Sequence, residues 1–310
     1  MGRYLLGRFV QAVPVLLGVT LITFLLTHLA LGDPVRARMG QRADPEMVAK
    51  IRTEYGLDKP LWTRYTLYMG KLLGGDLGYS YRQGRPVTRI VAERLPATVR
   101  LAVVAMVIAV ILGMGAGTIA AVRHNTFWDL SMMTLSLVGI STPVFWLGMM
   151  LILVFAVHLG WFPISGYGGG SMKHLVLPAL TLGALQAGYI ARMTRSALLE
   201  VLRQEYVRTA RAKGLRESVV ILKHTLWNAI LPVLTLAGIG LGDLLVGAPL
   251  TETVFAWPGL GRLLVAAVGN RDIPVVLGAT LLFALIYLGA NLLVDLGYAL
   301  VDPRVKLRER

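Results

Sequence analysis

Six long apolar stretches, each bounded by charge or by turn residues, constrain this chain more than any motif does. They run from about Phe9 to Ala30, Ala97 to Ala121, Leu130 to Val157, Leu175 to Met193, Ala229 to Leu250 and Pro274 to Val294. A run of about 18 apolar residues is long enough to cross the hydrocarbon core of a bilayer as a helix. In lipid a helix satisfies every backbone N–H and C=O within its own segment. The expected fold class is therefore an all-α polytopic membrane protein with six transmembrane helices, a single domain over residues 1–310. Charge content agrees: 15% of residues are charged, where soluble domains carry about a quarter.

Charge also orients the spans. With six crossings both termini stand on one side. That side collects Arg3, Arg8, Arg123, the segment from Arg192 to Lys223 and the tail Arg304–Arg310, fifteen lysines and arginines in all. The two short segments on the other side hold only Lys173, Arg262 and Arg271. Basic residues are retained in the cytoplasm, so both termini are expected there. The net charge of +14 then points to anionic lipid rather than nucleic acid. The first span is about twice the length of a signal-peptide core and reads as a retained helix. Leu6 stands where N-myristoylation needs Ser or Thr. No cysteine is present, which excludes disulfides and thiolate chemistry.

Residues 33–95 form the one sizeable polar region and read as a small extracytoplasmic cap; long segments translocate largely regardless of charge. Helix starts are expected at Pro45-Glu46, behind Asp44, and at Pro86-Val87. Turns are expected at Leu57–Trp62 and Gly74–Ser80. Within the spans, Gly113, Gly115 and Gly117 offer a thin face for close helix packing. Ser141-Thr142-Pro143 should kink or open the third span, its hydroxyls satisfying freed carbonyls. The fifth span carries Gly238, Gly240, Gly242 and Gly247.

Few residues suit chemistry. No Gly-x-x-x-x-Gly-Lys-Ser/Thr sequence occurs, so the chain itself is expected to bind no ATP; no cofactor or metal site is expected either. His158 and His174 could meet in an outer loop, or stand as separate interfacial histidines. Ionisable groups inside spans are costly and therefore informative. Arg100, Asp129 and Asp295 lie near span ends and read as anchors that reach toward water. Asp243 lies within the glycine-rich fifth span. It either receives the amino terminus of a peptide in a water-filled path or makes a hydrogen bond that packs two helices.

Between the fourth and fifth spans lies Glu205-Tyr206-Val207-Arg208-Thr209-Ala210-Arg211-Ala212-Lys213-Gly214-Leu215, inside a basic segment over 200–227. Tyr206, Ala210 and Lys213-Gly214 fall at helical spacing, so a short surface helix closed by glycine is expected. Two readings stand: a handle gripped by a separate motor protein, or a basic loop kept inside by its charge alone.

Several segments together carry a resemblance. They are Gly32-Asp33-Pro34, Leu57-Asp58-Lys59-Pro60, Gly75-Asp76-Leu77-Gly78, Arg192-Met193-Thr194-Arg195-Ser196, Tyr206–Leu215, Thr251–Arg262, Asn291–Asp295 and Asp302-Pro303-Arg304. In these the chain resembles the permease subunit of bacterial ABC importers for dipeptides, oligopeptides, glutathione or nickel. The resemblance implies a type I importer permease fold in the inner membrane. It implies as partners a homologous second permease, two cytoplasmic ATPases that bind ATP and magnesium, and an extracytoplasmic substrate-binding protein. Glu205–Leu215 then corresponds to the coupling helix. Against the general pattern Glu-Ala-Ala-x3-Gly, Thr209-Ala210 and Gly214 fit, while Arg208 replaces the glutamate and Glu205 lies a turn earlier. Asp243, Gly242 and Pro143 are assigned to the substrate path, and Asp33, Trp62, Glu252 and Trp257 to docking of the binding protein. A nickel or glutathione importer is the alternative within the class. A proton-driven secondary transporter is the alternative outside it.

Overall fold

The computed structural model describes residues 2–30, 53, 57–246 and 248–301. The expectations at Asp33, Asp44, Pro45-Glu46 and Asp302–Arg304 lie outside them. Helices dominate: α1 (Gly2–Ala30), α2 (Leu61–Leu73), α3 (Val87–Val122), α4 (Phe127–Ser141), α5 (Val144–His158), α6 (Met172–Leu202), α7 (Glu205–Ala212), α8 (Glu217–Val246), α9 (Pro249–Val254), α10 (Leu260–Gly269) and α11 (Ile273–Val301). Five of these are long and apolar enough to cross a membrane, and α4 with α5 makes a sixth crossing if the bent pair is one span.

Most of these helices outrun the apolar stretches that announce them. The second begins at Val87 rather than Ala97, and the fifth at Glu217 rather than Ala229. The apolar run marks only the part that suits lipid, whereas helix formation continues through polar residues of good propensity. Pro96 sits inside α3 without ending it. The third span is broken where it was expected to kink or open, at Pro143. It is two helices bent by 107°. Pro143 has no N–H to continue the ladder, and it forces Thr142 out of helical conformation, to φ −78° and ψ 128°. The last carbonyl of the α4 ladder, at Val138, accepts both the Thr142 N–H at 3.0 Å and the Thr142 hydroxyl at 2.7 Å.

The chain divides into two compact units, 1–98 with 258–288 and 99–257 with 289–310. In the first, Phe24 of α1 packs with Ile273 and Leu277 of α11, and Tyr65, Tyr68 and Tyr81 close around them. A clamp fixes the connection between α2 and α3. Buried Asp272 accepts hydrogen bonds from the Ser80 hydroxyl, the Tyr81 N–H at 2.9 Å and the Arg82 N–H at 3.4 Å. Ahead of it, the Gly78 N–H reaches the Asp76 carboxylate at 2.8 Å, and Gly75 and Gly78 adopt left-handed φ of 78° and 82°. The first N–H of α10, at Leu260, is capped by the Thr98 hydroxyl at 2.8 Å.

In the second unit α6 is the hub, and small residues let its neighbours approach closely. A Cβ at Gly113 would stand 2.7 Å from the Ala187 carbonyl, and one at Gly117 2.4 Å from that of Ala191. Gly188 meets α4 at the Ser136 carbonyl in the same way, at 2.6 Å. Gly240 of α8 lies against the Gln186 side chain. Between lipid-embedded helices, where water gives no hydrophobic drive, such close packing is a main source of association.

Candidate functional site

The helix expected at Glu205–Leu215 occupies Glu205–Ala212, with Lys213 as its cap and Gly214 just beyond at φ 73°. Its inner face is one short apolar stripe. Val207 and Ala210, three residues apart, pack on Val220 of α8, with Val201 and Leu202 of α6 beside them. Two polar ties reinforce that seat. The Arg211 guanidinium bonds the Glu217 carboxylate at 2.7 Å through Nη2 and at 3.2 Å through Nε. The Tyr206 hydroxyl lies 3.5 Å from the His224 carbonyl. The Arg211–Glu217 bond holds the guanidinium pKa above its ordinary value. The first turns of α8 are wound as a π-helix over Val220–Leu226, and the Thr225 hydroxyl bonds the Val220 carbonyl at 2.9 Å. The short helix expected from the sequence is thus fastened to the start of one long helix.

Its outer face is open. Glu205, Tyr206, Arg208, Thr209, Arg211, Ala212, Lys213, Gly214 and Leu215 are all exposed. Arg208 and Glu205 pair at 2.9 Å along the helix surface, and the Thr209 hydroxyl turns back on the Glu205 carbonyl at 3.0 Å. The Arg208 that replaces the usual glutamate therefore stands beside a carboxylate supplied from the preceding turn.

The residues assigned to substrate and binding protein are placed very differently from one another. Asp243 lies exposed in the last turn of α8, and among the described residues its carboxylate has no hydrogen-bond partner and so ties it to no described helix. Gly242 is buried beside it, and Pro143 is exposed at the head of α5. Trp62 is exposed on α2, its ring stacked on Tyr65 at 5.7 Å. Glu252 and Trp257 are 0% exposed. Trp257 meets Tyr167 edge-on at 4.8 Å, and neighbouring Phe255 fills a core with Ala156 and Leu177. A docking surface cannot be made by the side chains of those two residues while they hold up the interior, because a binding protein reaches only what water reaches. His158 and His174 do not meet: His158 Nδ1 bonds the Leu153 carbonyl at 2.7 Å, and His174 lies under Gly168. Among the described residues no three His, Asp or Glu side chains converge as a metal cage would require.

A cluster that the sequence did not announce ties α4 to α6. Asp129, 5% exposed, does not reach toward water. It accepts from Arg195 Nε at 2.6 Å, Arg195 Nη2 at 2.8 Å and the Asn125 N–H at 3.0 Å, with His124 Nδ1 at 3.1 Å. Asn125 holds φ 60° to aim that N–H. The available signal was an acid in the first turn of one span and an arginine in the last turns of another.

The family model of the inner-membrane component of binding-protein-dependent transport systems matches residues 113–307, and the N-terminal model of such membrane components matches 1–102. The chain belongs to that family. A dipeptide transport system permease protein of Alkalihalophilus pseudofirmus is 41% identical over 99% of this chain and 100% of its own length. A di/tripeptide transport system permease protein of Pseudomonas aeruginosa is 43% identical, covering 99% of each. A glutathione transport system permease protein of Pectobacterium atrosepticum is 45% identical over 99% of this chain and 100% of its own. Among solved structures, the MetNI methionine ABC transporter in inward-facing conformations matches with a TM-score of 0.53 at 20% identity, over 67% of this chain and 96% of that one. An amino acid ABC transporter crystallised with histidines matches at 0.53 and 16% identity, over 69% and 95%. This inner-membrane component is thus a multi-pass permease subunit of the importer class, with the all-α fold of ABC permeases.

Proposed function

We propose that the chain, with a homologous second permease, forms the translocation path of an importer of short peptides, driven by two cytoplasmic ATPases that grip α7. The observation that carries this reading is the seat of α7. Its inner stripe and the Arg211–Glu217 tie fasten it to α8, while the whole outer face is left free for a partner. A displacement of α7 is then passed to a helix that crosses the membrane. ATP and magnesium reside in the ATPases, and this chain binds no cofactor. Both termini and α7 lie in the cytoplasm, in keeping with the basic residues gathered there. Residues 33–95 and Trp62 face the binding protein, with Asp33 on the same side. Asp243, Gly242 and Pro143 line the path. ATP-bound motors shift the permease between inward- and outward-open states only insofar as they bind one state better.

Short peptides are the substrate class because the chain is similar over its full length to permeases named for dipeptides, di/tripeptides and glutathione. Uptake by the reconstituted complex, with labelled dipeptide, glutathione and Ni²⁺ in competition, tests this. Self-competition by dipeptide with no effect of Ni²⁺ is expected; uptake inhibited by Ni²⁺ alone would replace peptide with metal. For the drive, Ala210→Glu together with Gly214→Pro places a charge against Val220 and removes the left-handed turn. Membrane insertion should persist while substrate-stimulated ATP hydrolysis disappears. Wild-type coupling in that variant, or uptake without any ATPase, would refute the grip on α7.

A further inference from the structure

The exposed surface of α8 is divided along its length. At 3.6 residues per turn, Asn228, Pro232, Thr235, Ile239 and Asp243 fall within an arc of about 80°. Trp227, Leu231 and Leu234, exposed by 72%, 45% and 51%, fall on a neighbouring arc. Ala229, Val233, Ala237, Gly240 and Leu244 form the buried face, which meets α6 at Gln186. Bulky apolar groups on one exposed arc suit lipid. The other arc carries a polar side chain every two turns or so: Asn228, then Thr235, then Asp243. Asn228, exposed, and Thr235, half-buried, each spend a donor on their own helix, at the His224 and Leu231 carbonyls. Asp243 has no bond to a described residue and cannot remain charged against lipid tails.

We propose that this polar arc lines the water-filled side of α8, and that Asp243 at its far end receives the ammonium group of the substrate, the amino terminus of a short peptide. The proposal rests on the importer reading and adds to it a residue that selects for a cation. A carboxylate facing a water-filled path attracts a cation, and a charge-assisted hydrogen bond to an ammonium is roughly twice as strong as a neutral one. Asn228 and Thr235 continue the arc toward the α7 end with neutral acceptors, which pass a cation on without trapping it.

The chain has no cysteine, so single replacements report cleanly in proteoliposomes that hold the complete complex with cysteine-free partners. The probe is a water-soluble, cationic methanethiosulfonate. Asn228→Cys, Thr235→Cys and Asp243→Cys should react about tenfold faster than Leu231→Cys and Leu234→Cys, since a thiol ionises in water and not in lipid. Equal, slow reaction on both arcs overturns the aqueous arc. For the cation, uptake of a labelled dipeptide is compared with that of its N-acetyl form, each with the binding protein saturated. Asp243→Asn should lower uptake of the free-amine peptide about tenfold and leave the acetylated one unchanged, with Asp243→Glu restoring most of the loss. Equal loss for both peptides, or release of the second permease from the complex, would show that Asp243 pairs with a partner chain and would overturn the assignment. If the wild-type complex moves neither peptide, the peptide reading fails together with the cation assignment, while the labelling pattern still judges the arc by itself.

Discussion

Asp129 and Asp243 each sit near the end of an apolar helix, and the chain treats them in opposite ways. Asp129 of α4 is drawn inward and surrounded by Arg195, the Asn125 N–H and His124. Asp243 of α8 is turned outward, with no described partner. Their local sequences are similarly apolar, so hydropathy does not separate them. Internal satisfaction does. A carboxylate that the chain itself saturates is a fastening; one that it leaves open, as at Asp243, is the kind proposed above to meet the substrate. Asp272, buried under Ser80, Tyr81 and Arg82, belongs with the first kind.

The largest expected effect attacks the fastening. Arg195→Met leaves Asp129 buried without its cation, and breaking a buried pair in this way costs about 3–5 kcal/mol. Folded yield in detergent and thermal unfolding of the purified permease should both fall sharply. Asp129→Asn with Arg195→Met together should cost much less, because no buried charge is stranded. Asp243→Asn should leave both measurements near wild type. If Arg195→Met is as harmless as Asp243→Asn, the distinction between fastened and open carboxylates collapses.

Next in size is the α3–α6 seam. Gly117→Val puts its first carbon 2.4 Å from the Ala191 carbonyl and 2.7 Å from Thr194 Cβ, and overpacking of this kind costs about 1–3 kcal/mol. Gly115→Ala, where a Cβ would meet nothing within 4 Å, should stay within about 0.5 kcal/mol of wild type. Thermal unfolding of the two variants side by side separates a glycine that a neighbour requires from one that none does.

Those glycines show what the sequence could and could not say. The trio Gly113, Gly115 and Gly117 announces a thin face, but only the first and last, one helical turn apart, meet α6; the middle one points elsewhere. The turn at Gly74–Ser80, the helix start at Pro86 and the break at Pro143 are local events, readable because the groups that decide them are close in sequence. The 107° bend was legible as a break and not as an angle, since tertiary packing sets how far a broken helix turns. Asp129 and Arg195 lie 66 residues apart, and no periodicity brings them together. Glu252 and Trp257 looked like surface residues because they lie in the segment between the fifth and sixth apolar stretches, which the sequence places outside the membrane. Their burial follows from how α9 folds over the unit, as in the packing of Phe255 on Ala156 and Leu177. The short helix at α7 and its closing glycine were legible from spacing, but which face it buries was not, because the inner stripe is only Val207 and Ala210.

A smaller effect is expected at Gly214. Its φ of 73° is a conformation that costs a residue with Cβ about 1–2 kcal/mol, and a Cβ there would meet nothing within 4 Å. Gly214→Ala should therefore strain only the turn after α7. Membrane insertion should persist and the melting temperature should fall by only a few degrees, while substrate-stimulated ATP hydrolysis falls by a fraction rather than disappearing. Equal loss of stability and coupling would show that the turn holds the fold rather than the orientation of α7.

The smallest effect on stability is expected at Glu205 and Arg208, which complicate the comparison usefully. The pair is made, at 2.9 Å, yet its side chains are 83% and 71% exposed. An exposed pair one turn apart on a helix contributes about 0.2–0.5 kcal/mol, and salt screens it further. By internal satisfaction the pair looks fastened; by exposure it is open. Glu205→Gln and Arg208→Gln should each leave thermal unfolding of the isolated permease unchanged within error. If the exposed face of α7 is what an ATPase grips, the same variants in the assembled complex should change ATPase retention through a size-exclusion column, and Arg208→Glu should change it more than Arg208→Gln. If ATPase retention ignores all three substitutions, the pair is solvated surface, and the seat on α8 rather than the charge above it carries the contact.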